Sequence, residues 1–159
     1  MDIKFVDLFC GIGSVNYSCR KFGWKCISAC DINKTVRQTY TKNYNEIPLG
    51  DITSIDPGDI QSFDVLCAGF PCQPYSIIGQ HQGSKDSRGT LVQHIMKFVI
   101  YHKPKVIILE NVAGLLSHDE GKTFEKIKKD ISEQNYNITY EILKCSDYGI
   151  PQMRKRLFI

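Results

Sequence analysis

The sequence predicts an α/β domain built on a doubly wound, mostly parallel sheet with helices on both faces. Three observations carry that prediction. Short apolar runs rich in Val, Ile, Leu and Phe alternate with segments of helical period. Several runs end in a glycine or an acidic residue that opens into the next helix, as strand–turn–helix units do. The chain has 159 residues, 42% hydrophobic and 23% charged, enough for one folded domain with a real core and not for two.

The elements follow in order. Residues 4–9, Lys-Phe-Val-Asp-Leu-Phe, form an apolar run consistent with a buried first strand. A turn at Cys10-Gly11-Ile12-Gly13 leads into a helix over 14–22, which Gly23 stops. A second strand covers 25–30, and Asp31-Ile32-Asn33 opens a helix over 34–42. A third, short strand is expected over 46–49, ending at Gly50-Asp51-Ile52. The fourth, over 63–67, feeds Ala68-Gly69-Phe70-Pro71-Cys72-Gln73-Pro74-Tyr75-Ser76. Residues 79–89, rich in Gly, Ser and Gln, read from composition as a mobile loop. Leu91, Ile95, Phe98 and Val99 share one helical face, and His102-Lys103-Pro104 ends that helix. Val106-Ile107-Ile108-Leu109 is a fully apolar strand ending at Glu110-Asn111-Val112. Phe124, Ile127 and Ile131 mark a further helix, and 140–144 and 157–159 read as the last two strands. No repeat or linker divides the chain, so one domain over 1–159 is expected.

Composition bounds the partners. A net charge of +3 is mildly basic, which permits a nucleic-acid partner without demanding one. No apolar run is long enough to span a bilayer, and residues 1–5 carry no secretory pattern. The seven cysteines are therefore expected as free thiols in a reducing cytosol, or in the nucleus of a eukaryote. Cys26 and Cys30, like Cys67 and Cys72, lie close in sequence without the C-x2-C spacing of a zinc site. His81, His94, His102 and His118 show no ligand spacing either, and no metal is expected.

The chemistry-bearing residues cluster at strand ends. Cys72 sits between Pro71 and Pro74, which fix their own φ and restrain Phe70 and Gln73. It reads either as a nucleophile in a stiff loop or as a small buried apolar residue. Cys10–Gly13, Asp31, Asp51, Cys72 and Glu110 all end proposed strands, so a parallel sheet would gather them along one rim. The Phe9–Gly13 turn lets a ligand approach the backbone, but Asn16 stands where a dinucleotide fingerprint has its third glycine. Asp31, about 20 residues beyond the glycines, is placed to accept from ribose hydroxyls, and Asp51 from an adenine amino group. Each aspartate reads equally as a turn or N-cap residue. Together they suggest an adenosine-containing ligand without a pyrophosphate, which S-adenosylmethionine fits. Glu110 reads as a partly desolvated proton donor or as a carboxylate paired with a cation. Gln152, Arg154 and Arg156 fall on one side of an extended segment. They suit an anion or a phosphate backbone, or else a solvated edge strand kept apart by charge.

These residues resemble the C5-cytosine DNA methyltransferases, in the family's order, from Phe5 to Ile159. Asp7-Leu8-Phe9-Cys10-Gly11-Ile12-Gly13 resembles the cofactor motif, with Asp31 and Ile32 at the ribose position and Gly50-Asp51-Ile52 at the adenine position. Gly69-Phe70-Pro71-Cys72-Gln73-Pro74 is similar to the nucleophile motif, which is highly specific. Asp86-Ser87-Arg88-Gly89-Thr90-Leu91, Glu110-Asn111-Val112 and Gln152-Met153-Arg154-Lys155-Arg156 resemble the motifs that follow. The resemblance implies the S-adenosylmethionine-dependent, Rossmann-like methyltransferase fold. It implies a cofactor site at Phe9, Gly11, Gly13, Asp31, Ile32, Asp51, Ile52, Gly69 and Pro71, and DNA contacts from Gln73, Ser76, Arg88, Gln152 and Arg156.

It also implies a mechanism. Cys72 adds to C6 of a flipped cytosine, Glu110 protonates N3, and the electron-rich C5 takes the methyl group. Loss of the C5 proton then expels the cysteine, while Arg154 holds the flipped nucleotide. In the family a target-recognition region and a final motif follow the arginine segment, and this sequence stops at Leu157-Phe158-Ile159. A second chain supplying that region, a truncated frame, or a sequence that is part of a longer protein is expected on that account. Sequence-specific methylation by this polypeptide alone is not expected. Two other readings stand beside the first: a relative that methylates cytosine in tRNA, and a non-catalytic binding or regulatory module that keeps the fold.

Overall fold

The structure is a computed structural model and describes residues 2–71 and 91–159. Cys72, Gln73, Ser76, Arg88 and the loop expected over 79–89 lie outside the described residues. The chain divides into two compact units, Met1–Gly69 with Lys97–Ile108, and Phe70–Met96 with Leu109–Ile159.

In the first unit, strands β1 (Lys4–Leu8), β2 (Lys25–Cys30) and β3 (Val65–Gly69) run parallel in the order β2-β1-β3. The central strand, β1, buries everything from Phe5 to Leu8, as a strand with neighbours on both sides and cover on both faces must. Each large apolar side chain so buried contributes about 1.5–3 kcal/mol. Phe5, Cys19, Val65 and Cys67 form the centre of one core cluster, packed by Val15, Trp24 and Ile108.

Helix α1 (Ser14–Lys21) connects β1 to β2. It stops at Gly23 as expected: the amides of Gly23 and Trp24 return to the carbonyls of Arg20 and Cys19, and Gly23 takes the left-handed φ of +75° that this stop needs. Helix α2 (Lys34–Tyr44) starts on an Asn33 cap, whose Oδ1 accepts from Thr35 and Val36. It runs two residues past the expected end, because Asn43 and Tyr44 bond the β1–α1 turn and Asn45 closes the helix in the left-handed region.

The third strand expected over 46–49 does not form. Pro48 offers no amide donor, and only Leu49 pairs, in a parallel bridge to Cys30. Helix α3 (Leu91–His102) belongs to both units, and its last turn is held by His102, whose Nε2 lies 2.8 Å from the Pro57 carbonyl. Strand β4 (Val106–Val112) begins in the first unit, where the Val106 amide donates to Asp64.

In the second unit, β6 (Lys155–Phe158) lies between the end of β4 and β5 (Glu141–Lys144), antiparallel to both. The last strand starts two residues earlier than expected because Lys155 and Arg156 find partners in Lys144 and Leu143. Helix α4 (Lys122–Ser132) buries Phe124, Ile127 and Ile131, the predicted face. With β4 common to both units, the strand order is β2-β1-β3-β4-β6-β5, a mixed sheet within the α/β class.

One buried polar group breaks the apolar pattern. Asp7, in the middle of β1, is 1% exposed, and neither of its carboxylate oxygens finds a hydrogen-bond partner. Burial raises its pKa from 3.8 to about 7, opposed in part by the Asn16 backbone amide and helped by a smaller push from the Asp31 charge. Above pH 3.8 the unfolded chain gives up this proton while the folded chain keeps it. Stability therefore falls as pH rises from about 4 to about 7 and then levels. Asp7→Asn should gain on the wild-type chain by up to about 4 kcal/mol between pH 4 and pH 8. The amide's own burial cost does not vary with pH, so urea midpoints of both proteins at the two pH values isolate the effect. A difference that stays constant with pH would refute it.

The two glycines of the β1–α1 turn differ. Both have positive φ, but a Cβ at Gly11 would meet open space, whereas one at Gly13 would strike the Tyr44 ring at 2.1 Å. Gly11→Ala should cost about 1 kcal/mol from backbone strain alone. Gly13→Ala should cost about 3 kcal/mol, since overpacking adds to the same strain. Equal losses in chemical denaturation would show that the Tyr44 contact is readily relieved.

Candidate functional site

In the first unit the expected cofactor residues gather where β1 and β2 end. Phe9 leaves β1 with φ +63°, an uncommon value for a non-glycine residue, and Gly11 follows at +55°. The Cys10 amide still pairs with the Cys30 carbonyl at 2.9 Å, so the turn begins as an extension of the ladder. The Gly11 amide then donates to Asp31 Oδ2 at 3.0 Å. The other Asp31 oxygen accepts from the Asn33 amide at 2.8 Å. Asp31 is thus a turn residue and also the link between the two strand ends. Arg37 donates to the carbonyls of Asp31 and Ile32 at 2.6 and 3.1 Å, which fixes the turn from below and leaves the Ile32 side chain 72% exposed.

Asp51 stands beside them in the same unit. The Asp31 amide donates to the Leu49 carbonyl at 3.2 Å, and Asp51 Oδ1 caps Thr53 at 2.9 Å in a short 3-10 turn, Ile52–Ser54. The N-cap alternative is therefore the observed local role of this carboxylate, and Oδ2 lies outside the cap. Ile52 is 3% exposed and belongs to the core. Gly69, the last residue of β3, is half-buried.

In the sequence Asn16 stands out only as a missing glycine. It is fully buried, donating to the Tyr40 hydroxyl at 2.5 Å and to Glu46 Oε2 at 3.3 Å while accepting from Arg20 at 2.8 Å. Arg20 also forms an ion pair with Glu46. A third glycine here would leave Tyr40, Glu46 and Arg20 without their common partner. No linear signal joins residues so far apart.

In the second unit Glu110, near the end of β4, faces two arginines. Its Oε1 lies 2.8 Å from Arg156 Nε and 3.9 Å from Arg154 Nη2. Residue 110 pairs with Phe158, so Arg156 and then Arg154 follow on the same face at a period of two. The cation-paired alternative is the geometry found, with the glutamate side chain 30% exposed. The edge-strand alternative for the arginines does not hold, because β6 is paired on both sides. Gln152 is exposed ahead of β6.

Asn111, which the sequence offered only as part of a motif, is 2% exposed. Its Nδ2 donates to the Phe70 carbonyl at 3.0 Å and its Oδ1 accepts from the Val112 amide. It ties the Phe70–Pro71 exit toward Cys72 to the end of β4. Burial pushes the thiols of Cys10, Cys19, Cys26, Cys30 and Cys67 upward, to about 12 for Cys26 and about 11 for Cys30. Asp7 adds to each shift, and none of the five is poised as a nucleophile. Among the described residues, no helix is long and apolar enough to cross a membrane.

Known proteins share this arrangement of sequence and fold. The chain is 41% identical over 157 residues to the Type II methyltransferase M.HhaI of Haemophilus parahaemolyticus, covering 99% of this chain and 48% of that protein. It is 41% identical over 157 residues to M.DsaV of Dactylococcopsis salina, covering 99% and 45%. The structure matches the crystal structure of the S. pombe Dnmt2 methyltransferase with a TM-score of 0.83 at 23% identity, over 98% of this chain and 49% of that one. The chain thus spans about half the length of the curated relatives it matches. The family model for C-5 cytosine-specific DNA methylase matches residues 3–159, and this chain belongs to that family.

Proposed function

We propose that the chain carries the cofactor-binding and catalytic part of a DNA (cytosine-5) methyltransferase that uses S-adenosylmethionine. The observation that carries the reading is the Phe9–Gly13 turn. Its open glycine, Gly11, is held by Asp31 beside the exposed Ile32. That combination fits an adenosine-containing ligand. The turn admits a ligand against the backbone, the carboxylate can accept from ribose hydroxyls, and Ile32 offers an apolar surface for a flat base. Phe9, Gly11, Asp31, Ile32 and Asp51 would hold it, with Ile52 and Gly13 shaping the wall from inside. When bound, the group supplies an activated methyl.

The remaining chemistry belongs to the second unit. Cys72, as a thiolate, would form a bond to C6 of the cytosine, and Glu110 would hold a proton at N3, moving electron density to C5. Arg156, at 2.8 Å, keeps the Glu110 carboxyl in one position, and the exposed Arg154 is available to a nucleotide phosphate. Asn111 would hold the chain segment entering the nucleophile loop. The base must leave the duplex first, at about a few kcal/mol. DNA is accordingly the proposed partner.

Trapping with a 5-fluorocytosine duplex and S-adenosylmethionine tests this, because fluorine at C5 blocks release of the cysteine. A denaturation-resistant adduct is expected with the wild-type chain and none with Cys72→Ser. Glu110→Gln should slow adduct formation by about 10²–10⁴-fold. An adduct on tRNA but not on DNA would move the substrate class, and no adduct on either would overturn the catalytic reading.

A further inference from the structure

We infer that the last turn of α2 clamps the glycine turn, with Tyr44 as a positioning residue that tunes affinity for the adenosine-containing ligand proposed for that turn. The inference rests on the cofactor reading above and goes beyond it. Two successive turn carbonyls are held by two successive α2 side chains: Ile12 accepts from Asn43 Nδ2 at 3.0 Å, and Gly13 accepts from the Tyr44 hydroxyl at 2.5 Å. The Gly13 carbonyl also accepts the first α1 bond, from Tyr17 at 2.9 Å. One oxygen therefore ties the turn to both helices.

Tyr44 is itself wedged. Its ring fills the space where a Gly13 Cβ would stand. The Arg20 guanidinium lies 5.3 Å from the ring centroid, and the Tyr40 ring centroid is 4.8 Å away. Arg20 is in turn paired with Glu46 and bonded to Asn16. The far end of the turn is fixed separately, by the Gly11 amide on Asp31. Between these anchors, Gly11 and Gly13 are the residues whose backbone is least restricted by their own chemistry. Without the hydroxyl the Gly13 carbonyl loses one anchor and the turn samples more states, so a ligand that needs one state must order it on binding.

The test uses the whole chain, the variants Tyr44→Phe and Asn43→Ala, and S-adenosylhomocysteine as a probe that cannot turn over. Tyr44→Phe keeps the ring and removes only the hydroxyl. Its affinity in calorimetric titration should fall about fivefold, with faster amide exchange at residues 11–14 in the ligand-free chain and little change in thermal midpoint. Asn43→Ala, an exposed position, should shift both readouts in the same direction and keeps the test open if Tyr44→Phe folds poorly. A purely structural role would lower the midpoint and leave affinity alone. Wild-type affinity in Tyr44→Phe overturns the proposal, as does a loss no larger than that of Tyr101→Phe, a surface control in the same unit. If the wild-type chain binds no probe, the cofactor reading fails, and the exchange data still decide whether Tyr44 orders the turn.

Discussion

A fully buried central strand must end, and its chain must reach the surface and begin a helix within five residues. That constraint, at Phe9–Gly13, governs the first unit. Left-handed φ values at Phe9, Gly11 and Gly13 make the reversal, and a non-glycine residue in that region costs about 1 kcal/mol or more. The strain is offset by hydrogen bonds on every side: Cys10 to β2, Gly11 to Asp31, Gly13 to Cys10 and to Tyr44. Because the outer partners come from β2, from the residue after it and from α2, moving any of them would reshape the turn. The shape of the turn is therefore a product of the packing beneath it.

The polar groups under this turn are treated in two ways. Asn16 and Tyr40 bond each other, and Asn16 reaches out to the more exposed Glu46 and Arg20, which makes its burial tolerable and locks α1 against α2. Asp7 has no such partner, and it remains in place by holding its proton to about pH 7. Its field, with burial, also keeps the surrounding thiols protonated. A chain with many cysteines thus presents five of them as small apolar residues.

The second unit solves a simpler problem with strand geometry. A period of two puts Arg154 and Arg156 on the face that carries Glu110, and antiparallel pairing of β6 with β4 brings them within reach. Pairing β6 on its other side with β5 removes the freedom an edge strand would have. The carboxyl is consequently held by position, and Asn111 holds the neighbouring Phe70 carbonyl in the same way.

Local signals in the sequence determined six of the expected strands, the helix stops and the residues at strand ends. The mainly apolar run at 4–9 fits a buried strand, Gly23 suits a helix stop, and the alternation in 152–156 puts both arginines on one side of an extended segment. Motif order also carried the family assignment. Tertiary structure decided what each polar group does. Asp31 and Asp51 proved to be turn and cap residues as well as ligand candidates, and the strand expected at 46–49 reduced to a single bridge at Leu49. Gly13 proved to make room for Tyr44, 31 residues away. The reason is physical. Periodicity and backbone preference act between near neighbours, whereas a hydrogen bond or a steric contact belongs to whichever residues the folded chain brings together.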